Sequence, residues 1–387
     1  MEAARPKWSV IVLEEPFRLF FPLGVVGGLV GVFLTFSPQL DLGLPPGGLH
    51  HGLLQIQGFV LSFAVGFLMT ALPRFVEAPQ ARGWELGVSV GLLAGSAVAL
   101  VSGHWRLAEF GFVALLIHLV VFALRRLRKG QDNPPPSFIL VGVGLLSGLA
   151  GGGFLLYPLS GFNRLGPNLL EQGLLVSLVL GVGSYLGPRL LYGDRGSPQT
   201  QGPLFRRGLW GHGTAGLLLL GSFVLEAGWD PVWGRLLRAV VVAGHLLVAV
   251  GIHRLPRRRL GHLYLLWLSL WCLPGGICLA GLFPAYEVAM LHITFIGGFG
   301  LITLVIASRV VVAHCDLEAM WDRHAGRLVW PGLLLLLSAA ARVGADLLPQ
   351  RYVFFLHGGA GLWLIGLVLW GRAFVPKLGS GDISPDD

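Results

Sequence analysis

The chain has 387 residues, 54% of them hydrophobic and only 12% charged, with a net charge of +8 and a mean hydropathy of +0.72. A soluble domain carries about 25% charged residues, so these figures exclude a disordered chain and an ordinary cytosolic enzyme and indicate a polytopic membrane protein. The basic excess does not point to nucleic acid, because the basic residues stand in short clusters between apolar runs.

A helix needs about 20 mainly apolar residues to cross a hydrocarbon core of about 30 Å. In chain order, such runs occupy 17–37, 49–72, 85–102, 106–124, 137–158, 169–191, 206–226, 234–253, 260–282, 287–313, 328–348 and 351–374. Helices are expected because a lipid-facing backbone must satisfy its own hydrogen bonds. With the N-terminus in the cytoplasm, the opposite face holds Arg106, Arg164, Arg235, Arg238, Arg342 and Arg351. The other 22 of the 28 Lys and Arg residues fall on the cytoplasmic side. This satisfies the positive-inside rule and places both termini in the cytoplasm, with a short tail over 376–387.

The spans repeat. Gln57-Gly58, Ser62, Gly66 and Pro73-Arg74 of the second span match Gln172-Gly173, Ser177, Gly181 and Pro188-Arg189 of the sixth, each pair 115 residues apart. In the tenth, His292 lies 17 residues before Arg309, the interval that separates Gln57 from Arg74 and Gln172 from Arg189. Spans four, eight and twelve each hold a mid-span histidine: His118, His245 and His357. Spans three and seven share Gly95-Ser96 and Gly221-Ser222. The sequence therefore predicts an all-α polytopic protein forming one transmembrane domain over 1–387. Its three pseudo-repeated four-helix units cover about 14–130, 134–259 and 260–375. That plan resembles the core subunit of haem-copper oxidases, whereas a major-facilitator transporter has two six-helix halves.

The chemistry inside these spans is histidine chemistry. The carboxylates Glu109, Glu171, Glu226 and Glu287 stand near span ends. Neutral imidazole is cheaper to bury than a charge, and it ligates haem iron and copper. Using the terminal arginines as depth rulers, His51, His292 and His357 form an outer layer and His118, His212 and His245 an inner one. Glycines follow His292 and His357 and flank His212. Small residues let a flat ring approach, and they equally serve helix packing beside a hydrogen-bonded histidine. The outer set together favours metal binding. His51 and His292 are the leading haem ligands, with His357 the competitor, and His212 and His245 are copper candidates. His51, Gln55, Gly58, Ser62 and Gly66 line one face of the second span. Gln55 and Gln57 are candidates to orient a ligand imidazole or a haem propionate. His50, His104, His253, His262, His314 and His324 read as interfacial, and Arg309 as a helix-end anchor. The three cysteines, Cys272, Cys278 and Cys315, have no CxxC spacing. Walker loops, nucleophile elbows and HExxH zinc motifs are absent from the sequence.

Three runs carry a resemblance: Glu15-Pro-Phe-Arg-Leu-Phe-Phe21, then Gln57-Gly-Phe59 through Gly66-Phe-Leu-Met-Thr-Ala-Leu-Pro73, and Leu291-His292 through Ala307-Ser308-Arg309. They resemble the NnrS family over most of the chain. The resemblance implies a twelve-span protein of the bacterial cytoplasmic (inner) membrane. It also implies haem (b-type) and copper, and a link to nitric oxide metabolism and nitrosative stress. It places His51, His245, His292 and His314 at positions where the family usually has histidine. Many members read His-x-His-Glu at the start of the second helix. Here the segment is His51-Gly52-Leu53-Leu54, without the second histidine or the acid.

Three functions follow as expectations. The first is an oxidoreductase that converts nitric oxide to nitrous oxide, with electrons from a quinol or an electron-donor protein, since no CxxCH motif is present. Its protons would pass through Ser, Thr, Tyr or water, with Tyr185 and Tyr264 as candidate members. The second is a haem or copper protein that senses or scavenges nitric oxide without turnover. The third is a transporter of a metal or a small neutral solute. The expected partners are membrane lipid and nitric oxide, not nucleic acid.

Overall fold

A computed structural model describes residues 8–36, 44–45, 47–194, 196, 200–315 and 326–379. Every regular element among the described residues is helical. Twelve helices are long and apolar enough to cross a membrane. They are α1 (Phe17–Phe36), α2 (Gly48–Phe75), α3 (Gly83–Val101), α4 (Trp105–Lys129), α5 (Pro136–Leu156) and α6 (Leu165–Tyr192). Then come α7 (Gly202–Gly228), α8 (Pro231–Val250), α9 (Gly261–Leu282), α10 (Pro284–His314), α11 (Gly326–Leu347) and α12 (Pro349–Gly379). The chain is thus a multi-pass membrane protein, and each helix overlaps one of the predicted runs.

The helix ends differ most where charge has an interior use. The α4 helix continues to Lys129, past the predicted end at 124. Basic residues suit a helix C-terminus, and Arg126 is turned inward, where its guanidinium holds both oxygens of Glu85 at 2.5 Å. The predicted tail begins as a 3-10 turn, Val375–Gly379, whose Leu378 carbonyl accepts from Arg18 Nη1 at 2.9 Å. The rest of that tail, residues 380–387, lies outside the described residues, as do Arg5, Lys7, Arg323 and His324.

The chain divides into two compact units. The first comprises 1–131, 303–334 and 362–387, and the second 132–302 and 335–361.

In the first unit α1 lies directly on α2. A Cβ on Gly27 would come within 2.5 Å of the Gly58 carbonyl oxygen, so only glycine permits this approach. Aromatic rings fill the space beside that contact: Phe21 stacks on Phe63 at 4.7 Å, and Phe59 meets Trp363 edge-on at 5.3 Å. Trp370 is fully buried, and its indole N–H donates to Ser308 Oγ at 2.8 Å. Gly27→Leu should therefore force the helices apart and cost about 1–3 kcal/mol. Thermal aggregation of the detergent-solubilised protein measures this, and an unchanged profile would show that the α1–α2 contact is not close-packed.

Four spanning helices contain a widened π segment: α2 at Leu54–Val60, α6 at Leu169–Gly173, α8 at Leu246–Val250 and α10 at Ile293–Gly300. Leu54 and Leu169 are 115 residues apart, so the repeat read between spans two and six extends to backbone geometry. In α10 the segment starts 16 residues before Arg309, against 20 before Arg74 and Arg189 in α2 and α6. The third copy is accordingly not in the same register.

Candidate functional site

Three candidate ligands stand just ahead of a π segment. His51 precedes Leu54 by three residues, and His245 and His292 immediately precede Leu246 and Ile293. A π turn widens the helix and shifts the face that follows, and such turns are frequent at functional sites. His212 and His357 lie within ordinary helical turns.

The hydrogen bonds of these rings decide which nitrogen carries the lone pair. In the first unit, His51 Nδ1 is 2.9 Å from the Gly31 carbonyl oxygen on α1. A carbonyl only accepts, so Nδ1 donates and Nε2 is the basic nitrogen of the neutral ring. In the second unit, His292 Nδ1 donates in the same way to the Val288 carbonyl one turn earlier, at 2.6 Å. A carbonyl holding Nδ1–H is the usual support for a histidine that ligates metal through Nε2. On the Nδ1 side, each ring has the support that an imidazole-ligated metal uses.

His245 has the opposite polarity. Ser184 Oγ gives its proton to the Leu180 carbonyl at 2.6 Å and must accept from His245 Nε2 at 2.9 Å. Nδ1 then carries the lone pair. The His212 ring lies 5.1 Å from the His245 ring, tilted by 53°. The inner-layer expectation thus brings two half-buried imidazoles together within the second unit, a donor pair suited to copper. His118, the third of that layer, belongs to the first unit. It sits 3.1 Å from the Glu85 carbonyl oxygen and edge-on to Trp84. No cluster of three or more His, Cys, Asp or Glu side chains arranged for a metal occurs among the described residues.

The glutamines are held by protein groups. Gln55 Nε2 donates to the Gly28 carbonyl at 2.9 Å, so His51 and Gln55 both reach carbonyls of α1. The polar stripe on α2 thus meets a helix backbone. Gln57 points elsewhere and donates to Glu109 Oε2 on α4 at 2.7 Å. His357 is half-buried on α12. His314 lies in a charged cluster, where its Nδ1 bonds the Val310 carbonyl at 2.9 Å and its Nε2 meets the Arg74 guanidinium. Arginine only donates, so Nε2 of His314 is occupied as an acceptor and is a poor choice for metal.

Buried ion pairs are what the sequence reading missed. In the second unit, Arg235 and Arg238 of α8 are 1% and 0% exposed. Arg235 pairs with Glu226 at 3.0 Å and with Glu287 at 2.7 Å. Arg238 pairs with the other oxygen of Glu226, donates to Gln172 Oε1 at 2.7 Å and lies 3.6 Å over the Phe223 ring. The available signal was the presence of Glu226 and Glu287 at neighbouring span ends.

The family model described as NnrS protein matches residues 11–380. A comparison with curated proteins gave no match.

Proposed function

Because the chain belongs to the NnrS family, a membrane family with a nitric oxide-related role, we propose that it binds haem and copper and reduces nitric oxide to nitrous oxide. The observation that carries this reading is the set His51, His245 and His292, each set just before a π segment with its ring polarity fixed by a carbonyl or hydroxyl. His51 in the first unit and His292 in the second are the leading haem-ligand candidates, each taken by itself, with His357 a competing donor, and His212 with His245 is the candidate copper pair. Haem and copper, when bound, supply a redox centre and a Lewis acid for nitrogen oxides. The reaction takes two nitric oxide molecules, two electrons and two protons to one nitrous oxide and one water. One N–N bond forms and one N–O bond breaks. A quinol or an electron-donor protein supplies the electrons. The membrane is the bacterial cytoplasmic one, with both termini on its basic, cytoplasmic side.

The test is to titrate the reduced, detergent-purified protein with nitric oxide while recording the haem absorption and counting nitrous oxide. The expected result is a shifted haem band with catalytic nitrous oxide formation. A shifted band without nitrous oxide would replace the reductase by a scavenger or sensor. Colourless protein after expression with adequate haem, together with solute flux in liposomes, would replace both by a transporter.

A further inference from the structure

The repeat relating α2 to α6 places Gln57 opposite Gln172, and the repeat relating α3 to α7 places Ser96 opposite Ser222. In the second unit these two polar groups hold a cation. Arg238 donates to Gln172 Oε1 at 2.7 Å, lies 3.3 Å from Ser222 Oγ and pairs with Glu226. The first unit has no arginine in that place. Gln57 and Ser96 there line a cavity of about 10 Å³ together with Gly58, Leu93, Phe112 and Leu115. That is close to the least room one water molecule needs. Glu109 stands on α4 beside it, fully buried, and accepts from Gln57 Nε2 at 2.7 Å through Oε2 alone.

Among the described residues, one buried oxygen of each of these side chains has no hydrogen-bond partner: Gln57 Oε1, Ser96 Oγ and Glu109 Oε1. Gln57 is 2% exposed and Ser96 7%, so neither is satisfied by bulk solvent. The other buried glutamates have guanidinium partners, Glu85 with Arg126 and Glu226 with Arg235 and Arg238. Glu109 has none. The group bonded to it is the neutral amide of Gln57 from α2, and Ser96 of α3 lines the same cavity as Gln57. On α4 itself, Arg106 lies over the Trp105 ring. A buried carboxylate without a counter-charge is costly and is relieved by taking up a proton.

We infer that Glu109, Gln57 and Ser96 form a proton-holding site inside the membrane. Glu109 is the neutral acid, and one water in the cavity bonds its Oε1–H to the Gln57 and Ser96 oxygens. The assignment of oxygens is consistent with this: Oε2, which receives the Gln57 amide, is the carbonyl, and Oε1 carries the proton. The proposal does not depend on the haem reading, because its spectroscopic signature requires no turnover.

Infrared difference spectroscopy on the full-length protein in detergent at neutral pH tests the proposal. The expected spectrum contains a carboxylic-acid C=O band that is lost in Glu109→Gln, shifts in D2O and moves in Ser96→Ala. It should be the same in sodium chloride and in choline chloride. Loss of carboxylate bands in Glu109→Gln would overturn the proposal, since the group would then be ionised. A C=O band that appears only when sodium is removed would overturn it in favour of a metal-cation site. Should Glu109→Gln fail to fold, a C=O band unmoved by both D2O and Ser96→Ala would be equally contrary.

Discussion

Glu226→Ala is expected to destabilise the second unit by about 3–5 kcal/mol, the usual cost of removing one partner from a buried ion pair. Glu226 is 3% exposed, and its two oxygens are divided between Arg235 and Arg238. Its loss leaves Arg238 with only the neutral acceptors Gln172 and Ser222. A desolvated guanidinium cannot shed its proton, so the charge stays and the cost is borne in full. The double variant Glu226→Gln/Arg238→Met should recover much of the loss, because Arg235 keeps Glu287 at 2.7 Å and no buried charge is stranded. The measurement is the midpoint of thermal aggregation in detergent for the wild type, the single and the double variant. A single variant as stable as the wild type would mean that the pairs contribute nothing inside this bundle.

The two kinds of feature differ in legibility for a physical reason. Twelve spanning helices were readable because an apolar run of span length has few other uses, and α1 through α12 all lie on runs found by that criterion. The α2–α6 repeat was readable because Gln57, Ser62, Gly66 and Arg74 recur at one interval, and their π segments begin at the same interval. The π segments themselves were not readable. Widening one turn leaves hydropathy unchanged, and glycines such as Gly58, Gly173 and Gly297 mark close packing as readily as a wide turn. The pairing of His212 with His245 was foreshadowed by their shared depth below the terminal arginines. Depth could not reveal that Ser184 fixes the His245 ring.

Counting charges along the chain did not reveal their pairing. Arg126, Arg235 and Arg238 entered the topology count as flanking charges, yet each is buried against a glutamate. Arg126 meets Glu85 across 41 residues, and Arg238 meets Gln172 across 66. Such partners are invisible to a local window. The polar stripe of α2 shows the same limit. Periodicity set His51 and Gln55 on one face, but only the packed helices show that this face meets the Gly31 and Gly28 carbonyls. The Gly31 carbonyl is what gives the His51 ring its polarity, so these surroundings matter for function.

The haem content of purified protein, compared across four chains, tests the central claim most directly. His51 and His292 are the proposed haem ligands, each with Nδ1 held by a backbone carbonyl. His253 is solvent-exposed on the loop after α8 and serves as the control. Disturbing even the support of a metal ligand lowers affinity about 10–100-fold, so removing the ligand should cost at least that. The account expects wild type and His253→Ala to carry equal haem per chain, and His51→Ala and His292→Ala to lose it about tenfold or more while remaining folded. Equal haem in all four, or none in any, would contradict it.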